Sequence, residues 1–127
     1  MKRSSLVLAL LWLVLAIPAQ AEVNCTATGT PSRDEINGDD GHDAICLKGG
    51  RDYGNGRGAA DIVKGARGSD TLVGGTGPDE IRGGDGDDEL FAVDGVRDLL
   101  NGGRGFDNCY GDDEDTFVSC NHIVRVS

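Results

Sequence analysis

Gly74-Gly75-Thr76-Gly77-Pro78-Asp79-Glu80-Ile81-Arg82 runs directly into Gly83-Gly84-Asp85-Gly86-Asp87-Asp88-Glu89-Leu90-Phe91, so two nine-residue segments of one pattern stand back to back. Gly102-Gly103-Arg104-Gly105-Phe106-Asp107-Asn108-Cys109-Tyr110 repeats it. Counting outward in nines from Gly29, Asp recurs at the sixth place as Asp34, Asp43, Asp52, Asp61, Asp70, Asp79 and Asp88. Two places after each Asp an apolar residue follows, Ile36, Ile45, Val63, Leu72, Ile81 and Leu90, with Gly54 the exception. One extra residue at Ala92 shifts the frame, after which Asp98 and Asp107 are sixth and Leu100 and Cys109 eighth. The last unit, 111–119, keeps Gly111 and Val118 but has Thr116 at the sixth place. A period this regular predicts stacked supersecondary units in place of an ordinary core.

The residue types dictate the shape of a unit. Glycines at the first, second and fourth places allow a tight turn over the first six residues, and the last three make a short strand with one buried side chain. Two units then complete one coil, and units on the same side become neighbours at about 4.8 Å, the spacing of strands in a sheet. The expected fold class is all-β, a parallel β-roll with two short strands per coil. On this geometry Asp70 neighbours Asp88 on one flank and Asp61 neighbours Asp79 on the other. Carboxylates held that close repel one another, so a column of them calls for cations. Calcium suits them, because it takes six to eight hard oxygens in flexible geometry; zinc would want His or Cys, and His42 and His122 read as solvated. One buried apolar side chain per nine residues is too little to offset the cost of ordering a glycine-rich chain. Folding coupled to metal binding is therefore expected.

The pattern Gly-Gly-x-Gly-x-Asp-x-apolar-x resembles the repeats-in-toxin, or haemolysin-type, calcium-binding nonapeptide repeat, over roughly residues 29–119. The resemblance implies several calcium ions as cofactors. It implies metal-site roles for Asp43, Asp70, Asp79, Asp88 and Asp107, and for the turn glycines Gly65, Gly68, Gly74, Gly75, Gly77, Gly83, Gly84, Gly86, Gly102, Gly103 and Gly105. Asp34, Asp52, Asp61 and Asp98 are weaker candidates, since glycines around them are missing or displaced. Long relatives of this kind leave the cell through a C-terminal signal; here Lys2 and Arg3, the apolar run Leu6 to Ile17 and the small-residue end at Ala21 read as an N-terminal signal peptide over 1–21. The apolar run is too short for a membrane span. The expected order is signal peptide, an N-terminal lead over 22–28, the repeat roll over 29–119 and a tail over 120–127.

Removing residues 1–21 leaves 12 − 2 = 10 basic against 22 acidic residues, a net charge of −12, which argues against a nucleic-acid partner. Cys25, Cys46, Cys109 and Cys120 fall as two pairs flanking the array in an exported chain, and three disulfide connectivities are open to them. Cys25–Cys46 and Cys109–Cys120 close the shortest loops and would staple the ends of the stack. No cleft or residue set for catalysis is expected, so the chain does not read as an enzyme. The leading function is a secreted, extracellular calcium-binding repeat protein with a structural or adhesive role. Its rivals are a disulfide-held interaction module with mostly vestigial metal sites and, more weakly, a secreted hydrolase fragment. Mixed charge at Arg33, Lys48, Arg67, Arg82 and Arg104 reads as ordinary solvation, and no protein or surface partner is indicated.

Overall fold

The computed structural model describes residues 24–127. The leader reading over residues 1–21 lies outside the described residues. Twelve strands follow one another: β1 (Ala27–Thr28), β2 (Glu35–Asn37), β3 (Ala44–Cys46), β4 (Tyr53–Gly58), β5 (Ile62–Arg67), β6 (Thr71–Thr76), β7 (Glu80–Asp85), β8 (Glu89–Ala92), β9 (Leu99–Arg104), β10 (Asn108–Gly111), β11 (Thr116–Val118) and β12 (His122–Arg125). Odd strands form one sheet, β1-β3-β5-β7-β9-β11, and even strands the other, β12-β10-β8-β6-β4-β2. Every pairing is parallel between alternate strands, so the described residues form an all-β parallel β-roll. Among the described residues no helix is long and apolar enough to cross a membrane.

The eighth-place residues meet between the sheets. Ile45, Val63, Leu72, Ile81, Leu90, Leu100 and Cys109 are fully buried, each in register with its neighbour one coil away. Gly54, the gap in this column, is compensated by Leu47, which stands where other units have the first glycine and is itself fully buried. A Cβ on Gly54 would lie 3.0 Å from Leu47 Cδ1 and 3.0 Å from Val63 Cγ1, so the leucine occupies the room the glycine leaves.

The strands are longer than the three residues expected of each unit. β5, β6, β7 and β9 each hold six, running from the seventh place of one unit through the third place of the next. The pleat explains the extension: the first-place glycine is the next inward position after the eighth-place residue, and it is buried in each of these strands. The lead and tail also contribute strands, because Ala27 pairs with Ile45 and His122 pairs with Asn108. The disulfides are Cys25–Cys46 and Cys109–Cys120, with Cα separations of 5.9 and 6.0 Å, the pairing with the shortest loops.

Candidate metal centre

Each sixth-place Asp lies immediately before a strand, where the turn enters the sheet, and its carboxylate points into the flank between coils. Two ladders result. In one, the amide of Asp34 donates to Asp52 Oδ1 at 2.8 Å, Asp52 to Asp70 at 2.9 Å, Asp70 to Asp88 at 2.9 Å and Asp88 to Asp107 at 3.0 Å. In the other, Asp43 donates to Asp61 at 2.7 Å, Asp61 to Asp79 at 2.8 Å, Asp79 to Asp98 at 2.6 Å and Asp98 to Asp115 at 2.9 Å. Asp70 thus neighbours Asp88 on one flank and Asp61 neighbours Asp79 on the other.

Both ladders end on residues that the nine-residue count does not single out. Asp115 takes the place counted to Thr116, because the β9-to-β11 register is one residue shorter than the regular eighteen. Asn121 closes the other column, its Oδ1 accepting from the Asp107 amide at 2.9 Å. At the opposite end Asp34 and Asp43 accept from the hydroxyls of Thr30 and Thr26. A neutral group therefore caps three of the four ends.

From Asp52 to Asp107 the ladder carboxylates are sealed from solvent; Asp79, the most accessible of them, is 4% exposed. Only one oxygen of each is engaged. Among the described residues, Oδ2 of Asp52, Asp61, Asp70, Asp79, Asp88, Asp98 and Asp107 is buried with no hydrogen-bond partner. A buried, half-satisfied carboxylate is costly. Burial accordingly raises the carboxyls of Asp70 and Asp79 to about 6 and those of Asp88 and Asp98 to about 7. The ladder hydrogen bonds offset part of this rise, while like charges one coil away add to it. Asp52, Asp61, Asp107 and Asp115 are raised for the same first reason, removal from water.

The orphan oxygens have defined surroundings. A Cβ built on Gly65 would strike Asp70 Oδ2 and would lie 2.7 Å from the carbonyl oxygen of Gly83, one coil on. The same holds at Gly83, where a Cβ would meet Asp88 Oδ2 and the Gly102 carbonyl oxygen, and at Gly74 against Asp79 Oδ2. The absence of a Cβ at the first place thus lets the free carboxylate oxygen lie close beside a strand carbonyl of the next coil. Among the described residues no three His, Cys, Asp or Glu side chains are placed to hold an ion by themselves. Any cation on these flanks would draw on carbonyl oxygens beside one carboxylate per turn, a hard-oxygen set that fits calcium and excludes zinc.

The remaining predicted residues fall where the turn needs them. Gly75, Gly84 and Gly103 at the second place, and Gly68, Gly77, Gly86 and Gly105 at the fourth, all have positive φ. Gly102 lies against Asp107 and beneath the Ser119 carbonyl. In the earlier turns the same backbone is imposed on Lys48, Arg57, Ala59 and Ala66, with φ of 75, 78, 69 and 78°. His42 donates from Nδ1 to the Ala60 carbonyl at 2.7 Å. Asp94 and Asp112, outside the sixth-place column, accept from the amides of Gly77 and Gly95 and tie consecutive turns at the rim.

The model of the RTX calcium-binding nonapeptide repeat family, in 4 copies, matches residues 26–54 and 64–96. No curated protein and no solved structure matches the chain.

Proposed function

From the premise that this chain carries RTX calcium-binding nonapeptide repeats, we propose that it is a secreted protein whose β-roll forms on binding calcium and serves a structural or adhesive role outside the cell. The observation that carries this reading is the pair of buried carboxylate ladders with an unpartnered Oδ2 on each inner rung. Asp70, Asp79 and Asp88, with Gly65, Gly74 and Gly83 beneath their free oxygens, form the core of the metal-binding flanks. Asp43 and Asp107 extend it, and Asp34, Asp52, Asp61, Asp98 and Asp115 complete the columns. Calcium, when bound, supplies the positive charge that the ladders lack. The chain's own residues fix the oxygens in place, since from Asp52 to Asp115 each Oδ1 is already tied to the amide of the Asp one coil before, and Oδ1 of Asp34 and Asp43 accepts from a threonine hydroxyl. Export is supported by the leader pattern over 1–21 and by two disulfides, which persist in oxidising compartments.

A second reading has its own support. The turns built on Lys48, Arg57, Ala59 and Ala66 lack the glycines their φ angles favour, and the Cys25–Cys46 bridge closes the same end. That half would then be held by the disulfide, as an interaction module with vestigial metal sites. Isothermal titration of the disulfide-intact chain with calcium separates the two. Several ions bound per chain support the first reading, and no heat up to about 10 mM, beyond the range of weak extracellular calcium modules, supports the second.

A further inference from the structure

The eighteen-residue register sorts surface charge by face in a way that sequence order conceals. On the outer side of the odd-strand sheet, Lys64 of β5 pairs with Arg82 of β7, and Asp85 lies between Arg67 and Arg104 in the row at the strand ends. Lys48 adjoins this group, because the next residue, Gly49, bridges to Arg67. Five cations therefore share one face with two carboxylates, Asp85 and the Glu80 that pairs with Arg82. The even-strand sheet is different. Its central outer row reads Asn37, Asn55, Val73, Phe91, Tyr110 and Val124, without a charge. In a chain whose residues 22–127 carry a net −12, with the acids concentrated in the turns, the odd-strand face is a cationic strip between acidic flanks.

The shape of the strip selects its ligand. From the Lys64 row to the Arg67 row it spans roughly 10 Å across the strands, and it runs about 14 Å along the stack from β3 to β9. An extended anionic plane such as a lipid surface would meet the carboxylate-rich flanks as well as the strip and be repelled by them. A duplex nucleic acid, wider than the strip, would meet the same flanks. A peptide finds no free strand edge there, because β5 and β7 are paired on both sides. A thin, regularly charged thread can lie on the strip without touching either flank. We propose that the outer face of the odd-strand sheet, through Lys64, Arg82, Arg67, Arg104 and Lys48, binds a linear anionic polysaccharide bearing carboxylate or sulfate groups. Binding is electrostatic and shallow, and it weakens with salt. It does not depend on which carboxylates hold calcium.

The test is affinity chromatography of the disulfide-intact chain, with calcium present, on immobilised heparin and immobilised polygalacturonate at roughly 50 mM salt. The wild type is retained on at least one polymer and released by salt. Lys64→Gln with Arg67→Gln weakens binding on the order of 25-fold, about fivefold per cation removed. Arg57→Gln, in β4 of the even-strand sheet, changes it by less than about twofold on the same scale. The calcium-dependent circular dichroism of all variants matches wild type, which separates loss of the strip from loss of the fold. Absence of retention on both polymers, an equal loss in the Arg57 control, or equally tight binding to phosphatidylglycerol vesicles would each overturn the proposal.

Discussion

The backbone amide of Asp70 donates to Asp88 Oδ1 at 2.9 Å, while Asp88 Oδ2, in the same sealed carboxylate, has no partner. One oxygen holds two coils together, and the other is the one proposed to meet a cation. The two functions can be separated by substitution. Asp88→Asn keeps an acceptor for the Asp70 amide but removes the charge, so in chelator it moves the loss of the fold to higher pH, and it weakens calcium binding by about tenfold or more. Asp88→Ala leaves the Asp70 amide unsatisfied at a cost of roughly 1–3 kcal/mol, so it destabilises the low-pH calcium-free fold as well as weakening calcium binding. Thermal melts and calorimetric titrations of the two variants check this.

The pH dependence of the calcium-free fold follows from the same burial. The carboxyls of Asp70 and Asp79 are raised to about 6, and those of Asp88 and Asp98 to about 7, from an ordinary value of 3.8. A carboxyl whose folded value lies above its unfolded one stabilises the fold fully only below the unfolded value. That stability is lost as pH rises through the folded value. In chelator, the melting temperature therefore falls between pH 4 and 7, and saturating calcium removes the fall. A calcium-free fold that grows more stable over this interval contradicts the ladder description.

The strained turns give a contrast between opposite substitutions. Arg57 and Ala66 hold φ of 78° with exposed side chains. A left-handed residue costs roughly 1–2 kcal/mol, of which glycine's looser unfolded chain gives back part, so Arg57→Gly and Ala66→Gly each stabilise by roughly 0.5–1 kcal/mol. Gly83→Ala does the reverse, because its Cβ would strike Asp88 Oδ2 and the Gly102 carbonyl oxygen. Denaturant melts in calcium rank the three variants.

The nine-residue count was enough to locate the roll, the buried column from Ile45 to Cys109 and the pairing of Asp70 with Asp88. What it missed was set by three-dimensional compensation. Asp115 reaches the ladder one residue early because the last odd-strand coil is shortened, so a fixed count assigns the place to Thr116. Asn121 substitutes for a carboxylate by geometry alone, having no repeat around it. The six-residue strands reflect first-place glycines that face inward, a role hidden behind their reading as turn residues. Arg82 reads as ordinary solvation until the register sets Lys64, eighteen residues before it, at its side. The signal was present in every eighteenth residue of the outward rows.

The C-terminal staple has a local consequence. Cys109 is fully buried in the core column, and its bridge to Cys120 holds the segment leading into β12. Cys120→Ala with Cys109→Ala removes a short-loop crosslink worth about 3 kcal/mol in the chain-entropy account. Amide exchange then accelerates at residues 122–125 while β5 to β7 retain their protection, as expected for a stack in which each coil contacts only its neighbours. Equal acceleration throughout would show the roll to be a single cooperative unit.

Two columns of buried carboxylates are proposed to make this β-roll depend on calcium. Far-ultraviolet circular dichroism of the disulfide-intact chain, stripped with chelator at pH 7.5 and titrated with calcium, tests it most directly. A largely disordered spectrum is expected that converts cooperatively to a β spectrum as calcium is added, with no such conversion in Asp79→Ala combined with Asp88→Ala. A β spectrum already complete in chelator and unchanged by calcium would contradict it.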